Sequence, residues 1–165
     1  MGQRSKAYTK SLLEAMKKAD IDVNRCQQFM IGIDGSRDGM DKALSVIEPK
    51  MKLAPTKTFA ELAKTDPDLK KAGASFERAS KELDDYKNKF AKTVVEAAFS
   101  IEQAQVIIKN FDAFCTEKAK TWNPFKKKSL GKSVAALKKA ATDLENLRKF
   151  LAGMIDLQKQ KGNFV

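Results

Sequence analysis

From Ala74 to Trp122 the chain contains neither glycine nor proline, and apolar side chains recur at alternating steps of three and four residues. That spacing matches the turn of an α-helix and gathers the apolar groups on one face, so it predicts a long amphipathic helix. The series opens earlier, with Leu69 and Ala72, and runs through Phe76, Ala79, Leu83, Tyr86 and Phe90. One extra step of four leads to Val94, after which Ala97, Ile101, Ala104, Ile108, Phe111 and Cys115 resume the rhythm. Such a stutter locally straightens or re-aims a coiled-coil seam. A helix from Pro67 to Lys120 would be about 80 Å long at 1.5 Å per residue. The pattern therefore predicts either an elongated molecule or a helix broken near Ser100.

Two more seams accompany it. Leu12, Met16, Ala19, Val23, Cys26, Met30 and Ile33 form the first, and Met40, Leu44, Ile47 and Met51 continue in phase across Gly32, Gly35 and Gly39. Retained phase across three glycines predicts a kinked helix, or two segments facing one partner. Pro49 is expected to push Glu48 out of the helical region, and Pro55 to complete the break. Thr58 with Glu61 makes a capping box before a short helix, Phe59–Ala63. Asp66-Pro67-Asp68 then reads as a helix start: N-cap, proline at the first position, acid in the first turn. Asn123-Pro124 is expected to end the long helix. Leu130, Val134, Leu137, Ala141, Leu144, Leu147, Leu151 and Met154 draw the last seam, which Gly162 closes. The expected fold is all-α, a single helical bundle domain over residues 1–165. Its architecture is an elongated antiparallel bundle of three principal long helices, the first kinked or split, at about 5–33, 36–53, 67–121 and 129–161.

Composition narrows the function. The chain has no histidine, which excludes Ser-His-Asp and Cys-His nucleophile pairs, His-ligated metals and an imidazole proton shuttle. No set of acids converges by spacing, since neighbours such as Asp84 and Asp85 point to different helix faces. No enzyme activity, cofactor or metal is expected. Asp34-Gly35-Ser36-Arg37-Asp38-Gly39 begins like a calcium loop, but Ser45 stands where the bidentate Glu belongs, so a turn or kink is the better reading. Cys26 and Cys115 are two separated thiols on apolar faces, expected to be reduced and cytosolic. No run approaches the 18 apolar residues of a membrane span.

The net charge is +11, and it is unevenly placed. Residues 58–121 are balanced, residues 1–33 carry +3, and residues 122–139 hold six lysines and no acid. Trp122 and Phe125 stand beside Lys126, Lys127, Lys128 and Lys132 in the expected connection between the last two long helices. At the end of a helical hairpin this is a projecting tip. Its aromatics suit the headgroup region of a membrane and its lysines suit anionic lipid. The plainer reading is a solvated loop whose two aromatics fold back on the core. Arg4, Lys6, Lys10, Lys17 and Lys18 beside Tyr8, Leu12, Leu13 and Met16 make the N-terminus a basic amphipathic helix, although Leu12 and Met16 keep phase with the core seam.

The stretch Phe59-Ala60-Glu61-Leu62-Ala63-Lys64-Thr65-Asp66-Pro67-Asp68-Leu69, followed by Phe76-Glu77-Arg78-Ala79 and Leu83-Asp84-Asp85-Tyr86, resembles the entry to the second helix of BAR-superfamily domains. The likeness lies around residues 58–98. It implies a three-helix antiparallel dimer that binds and curves anionic membranes. Its distal tip would be the Trp122 to Lys132 segment, with an amphipathic helix ahead of the bundle at residues 2–19.

The expected function is a non-enzymatic helical domain, cytoplasmic or peripheral to a membrane, binding anionic lipid through Trp122, Phe125, Lys126, Lys127, Lys128 and Lys132. The expected partners are an anionic membrane surface and a second copy of the chain or another helical protein. The alternative is a protein-interaction or assembly-scaffold bundle. Nucleic acid ranks third, because the basic residues include few arginines and match no nucleic-acid-binding motif.

Overall fold

Among the described residues four helices form and no strand occurs: α1 (Gln3–Leu53), α2 (Phe59–Ala63), α3 (Pro67–Ala119) and α4 (Pro124–Gln160). The computed structural model describes residues 3–120 and 124–164, and for 124–127 the backbone alone. Packing divides the chain into two compact units, one of residues 1–27 with 91–165 and one of residues 28–90. No helix among the described residues is long and apolar enough to cross a membrane.

In the unit of residues 28–90, α1 and α3 pack through small residues. Gly32 and Gly39 lie on the contact face with the buried Ser36 and Ala43. A Cβ at Gly32 would fall 2.6 Å from Cδ1 and Cε1 of Tyr86, and one at Gly39 would touch Ala79 at 3.4 Å. The glycines therefore let two backbones approach. The expected split is absent, because α1 is one helix through Gly32, Gly35 and Gly39. The segment that resembled a calcium loop is helical within it. Pro49 also lies inside α1, with Glu48 still helical. The carbonyl of Ser45 loses its backbone donor there, but Ser45 is exposed, so water can take the place of that N–H.

The end of this unit is built by capping. Thr58 Oγ1 accepts the N–H of Glu61 at 3.2 Å and starts α2. The ring of Phe59 then lies over Gly73, where a Cβ would overlap it. Asp66 caps α3, its Oδ1 accepting the N–H groups of Asp68 and Leu69 at 3.1 Å each. Its other oxygen takes Lys50 Nζ at 2.8 Å, tying the last turns of α1 to the first turn of α3. Leu69, Ala72, Ala79, Leu83 and Phe90 are buried along α3, as the seam requires.

In the unit of residues 1–27 and 91–165, α1, α3 and α4 close around Ala19, Val23, Val94, Ala97, Ile101, Leu144, Leu151 and other seam residues. Full burial of Phe111 alone contributes on the order of 2–3 kcal/mol. α3 passes Ser100 unbroken. In α4 the expected seam is off by one residue at one point, since Ala141 is exposed and Ala140 is buried. α4 also starts earlier than expected: Pro124 opens it as its first residue, a position that does not need the missing N–H. Its far end is a Schellman turn. Gly162 takes φ +74, its N–H donates to Lys159 O at 3.0 Å, and Asn163 N–H donates to Gln158 O at 2.8 Å. The buried Asn163 side chain donates to Gln158 Oε1 at 2.9 Å, which supplies a partner for a glutamine with no exposed surface.

Candidate functional site

One end of the unit of residues 1–27 and 91–165 gathers three helix termini. Leu12, Phe111, Cys115, Leu137 and Ala140 form a buried cluster there, with Tyr8, Phe114, Leu130 and Val134 packed on it. Tyr8 stacks on Phe111, the ring centroids 5.3 Å apart and the planes within 3°, and lies 5.0 Å from Phe114 at a tilt. These contacts bring the first turns of α1 against the last turns of α3 and the early turns of α4. The basic N-terminal segment thus packs inward through Tyr8 and Leu12, the latter as the core seam required.

The cations follow the helices. Arg4, Lys6 and Lys10 of α1, Lys118 and Lys120 at the end of α3, and Lys128 and Lys132 of α4 are all exposed at or beside this end. Lys118 Nζ lies 5.7 Å from the centre of the Phe114 ring. Fewer acids stand against them: Asp112, Glu117 and, further along α1, Glu14. Glu117 already holds Lys120 at 3.1 Å. The two basic segments that the sequence separated by a hundred residues therefore meet at one place.

Two of the three termini are helix N-termini, each with partial positive charge from its unpaired N–H groups. The first turns of α1 and α4 nevertheless contain no acid and hold Arg4 and Lys6 in one and Lys126 and Lys127 in the other. Cations placed there oppose the helix dipole by a few tenths of a kcal/mol each. α3 shows the ordinary arrangement, with Asp66 and Asp68 at its start. The basic end thus carries charge that local helix stability does not call for.

The expected site residues fare differently. Trp122 lies outside the described residues. Phe125, Lys126 and Lys127 fall in the first turn of α4, and Lys128 and Lys132 one and two turns on. The expected loop over this segment is therefore corrected to helix. Lys128 and Lys132, four apart, share one face.

A second polar group was not foreseen. Asp22 is buried, accepts a hydrogen bond from Ser100 Oγ, and takes Lys18 Nζ at 3.2 Å. Arg25 and Glu96 pair beside it at 3.7 Å. An open groove follows this contact, lined by Ala15, Lys18, Phe99, Gln103 and Ile107 among others. Its only advance signal is that Asp22 lies three residues from Ala19 and four from Cys26, on the edge of the seam. Burial, with the neighbouring Asp22 carboxylate, pushes the Cys26 thiol up to about 11. Burial first and Asp112 second also raise Cys115. Both thiols stay protonated and inert at neutral pH, as structural cysteines do.

Comparison with protein families, with characterised proteins and with solved structures finds no match to this chain.

Proposed function

We propose that this chain is a non-enzymatic helical domain that associates with anionic membrane surfaces through the basic end of its first unit. Support comes from one observation above all: exposed cations from the termini of three helices converge where two of those termini already favour anions. Each lysine or arginine near an anionic bilayer contributes about 1 kcal/mol, so four or five engaged together give roughly 4–5 kcal/mol. Lys126, Lys127, Lys128 and Lys132 supply charge in this reading, with Arg4 and Lys6 beside them. Trp122 and Phe125 enter the headgroup layer. A dimer of the BAR kind would present two such ends to one surface, and their weak contacts would add through effective concentration.

Sedimentation with phosphatidylcholine vesicles, with and without phosphatidylserine, tests it. Binding is expected only to the anionic vesicles, to fade as salt shortens the screening length, and to be lost when Lys126, Lys127 and Lys128 are all changed to Glu. Equal binding to neutral vesicles overturns the proposal, as does a triple variant that binds like the parent. Binding to duplex DNA that survives about 200 mM salt would favour nucleic acid instead.

A second reading, a protein-interaction module, has its own support. Val95, Phe99 and Val106 are 69%, 59% and 47% exposed and recur at steps of four and seven on the side of α3 away from its seam. Light scattering after size exclusion distinguishes it: Phe99→Glu should then abolish an assembly that forms without lipid.

A further inference from the structure

The basic end contains a hydroxyl in a setting that the membrane reading does not use. Ser129 lies in the second turn of α4, directly after Lys126-Lys127-Lys128 and directly before Leu130. It is partly exposed, while Leu130 turns onto the buried cluster and Lys128 and Lys132 are exposed. Ser133 and Thr116, described hydroxyls near it, lack this combination. Ser133 is buried and has a single lysine before it. Thr116 donates to Asp112 O at 2.9 Å and follows Asp112-Ala113-Phe114-Cys115, with no cation.

We propose that Ser129 is a phosphorylation site for a basophilic protein kinase, and that the phosphate releases the basic end from anionic lipid. This rests on the membrane reading and adds a means of regulating it. Kinases select substrates in part by charge pattern, an acidic substrate groove accepting cations on the N-terminal side of the hydroxyl. Three consecutive lysines meet that demand. Lysines set against the helix dipole weaken the start of α4, which lowers the cost of opening it to enter such a groove. In the transfer, Ser129 Oγ attacks the γ-phosphorus of ATP as the bond to the ADP oxygen breaks. The hydroxyl proton passes to the kinase's aspartate, and ADP leaves.

The consequence follows from charge. A phosphoserine brings about −1.5 to −2 at neutral pH. Lys132 stands three residues after Ser129, within reach of it along the helix, and would pair with it. The phosphate thus adds negative charge to the segment with the largest positive excess and withdraws a cation from lipid. Release of polybasic segments from membranes by phosphorylation works through these terms.

The experiment has two parts. The purified chain is incubated with ATP and a basophilic kinase, with the Ser129→Ala variant alongside. Incorporation in the parent and its loss in the variant are expected; equal incorporation in both overturns the assignment. Chains carrying phosphoserine at position 129, or at the exposed Ser45 of the other unit, are then sedimented with phosphatidylcholine–phosphatidylserine vesicles of about 3:1 composition. Phosphoserine at 129 is expected to weaken association roughly tenfold or more, and at 45 far less. Unchanged binding of the 129 form, while the parent still binds, overturns the switch and leaves the membrane reading standing. An equal effect from both positions overturns it too, since net charge alone would then suffice. A parent chain that ignores anionic vesicles overturns both. Far-ultraviolet circular dichroism on each form confirms that the helices persist.

Discussion

Glycine in a helix is decided by what lies opposite it, and α1 holds both outcomes four residues or fewer apart. Gly32 lies under the Tyr86 ring, whereas Gly35 has nothing within 4 Å of where a Cβ would stand. Gly35→Ala should therefore stabilise the protein by up to about 1 kcal/mol, the helix-propensity difference. Gly32→Ala should destabilise it by about 1–3 kcal/mol, because a ring and a backbone must separate. Urea unfolding followed by circular dichroism checks the opposite signs; two substitutions of the same sign would contradict this packing. Spacing marked the glycines without telling these roles apart, since a kink and a close approach both call for the missing Cβ. The burial of Leu12, Ala19, Val23 and Cys26 was legible, because heptad spacing depends on the helix alone. The swap of Ala140 for Ala141 was not: either alanine fits the local rhythm, and only the neighbouring helix selects between them.

At the level of elements, the starts of helices were written locally and their interruptions were not. Thr58 and Asp66 cap as their side chains dictate, each accepting an N–H two or three residues on. The Lys50 ammonium beside it, and then the N–H of Leu69, hold the Asp66 carboxyl below its usual range. A lowered carboxyl pKa means that the folded state holds the proton less tightly than the unfolded chain. Its contribution is therefore present above the unfolded value of 3.8 and is lost as pH falls through the lower folded one. Asp66→Ala should destabilise more than Asp66→Asn at pH 7, because Asn keeps the capping oxygen and loses only the ion pair. Parent and Asn variant should draw together in stability as pH falls below the usual carboxylate range. Denaturation midpoints across pH 2–7 test this, and a gap between the two that stays constant with pH would contradict it. Pro49 and Pro124 show the limits of local reading. The first stays in a helix whose solvent side tolerates a lost hydrogen bond, and the second opens a helix where no donor is needed.

Across the whole molecule, the distribution of charge matters more than its sum. The +11 excess is drawn mainly from two segments about a hundred residues apart, and the first turns of α1 share an end with α3 and α4 only because Tyr8 and Leu12 pack on Phe111 and Phe114. If that convergence binds lipid, the N-terminal cations contribute although they are distant in sequence. Reversing Arg4 and Lys6 to Glu should weaken association with anionic vesicles by tenfold or more, given about 1 kcal/mol per cation. It should leave thermal stability equal or slightly raised, because acids suit a helix N-terminus. Undiminished vesicle binding by this variant would confine the site to α4.

The amino-acid order by itself determined that the chain is helical, which face of each helix is apolar, and where α2 and α3 begin. These are properties of spacing and capping that act within a few residues. Tertiary structure alone decided that Gly32 serves close packing, that Asp22 meets Ser100 across two helices, and that Arg4, Lys6, Lys128 and Lys132 share one end. Each of these joins groups distant along the chain, and their pairing depends on how the seams align against one another. Periodicity states that a face will be covered; the covering helix, its direction and its register come from packing the whole set together.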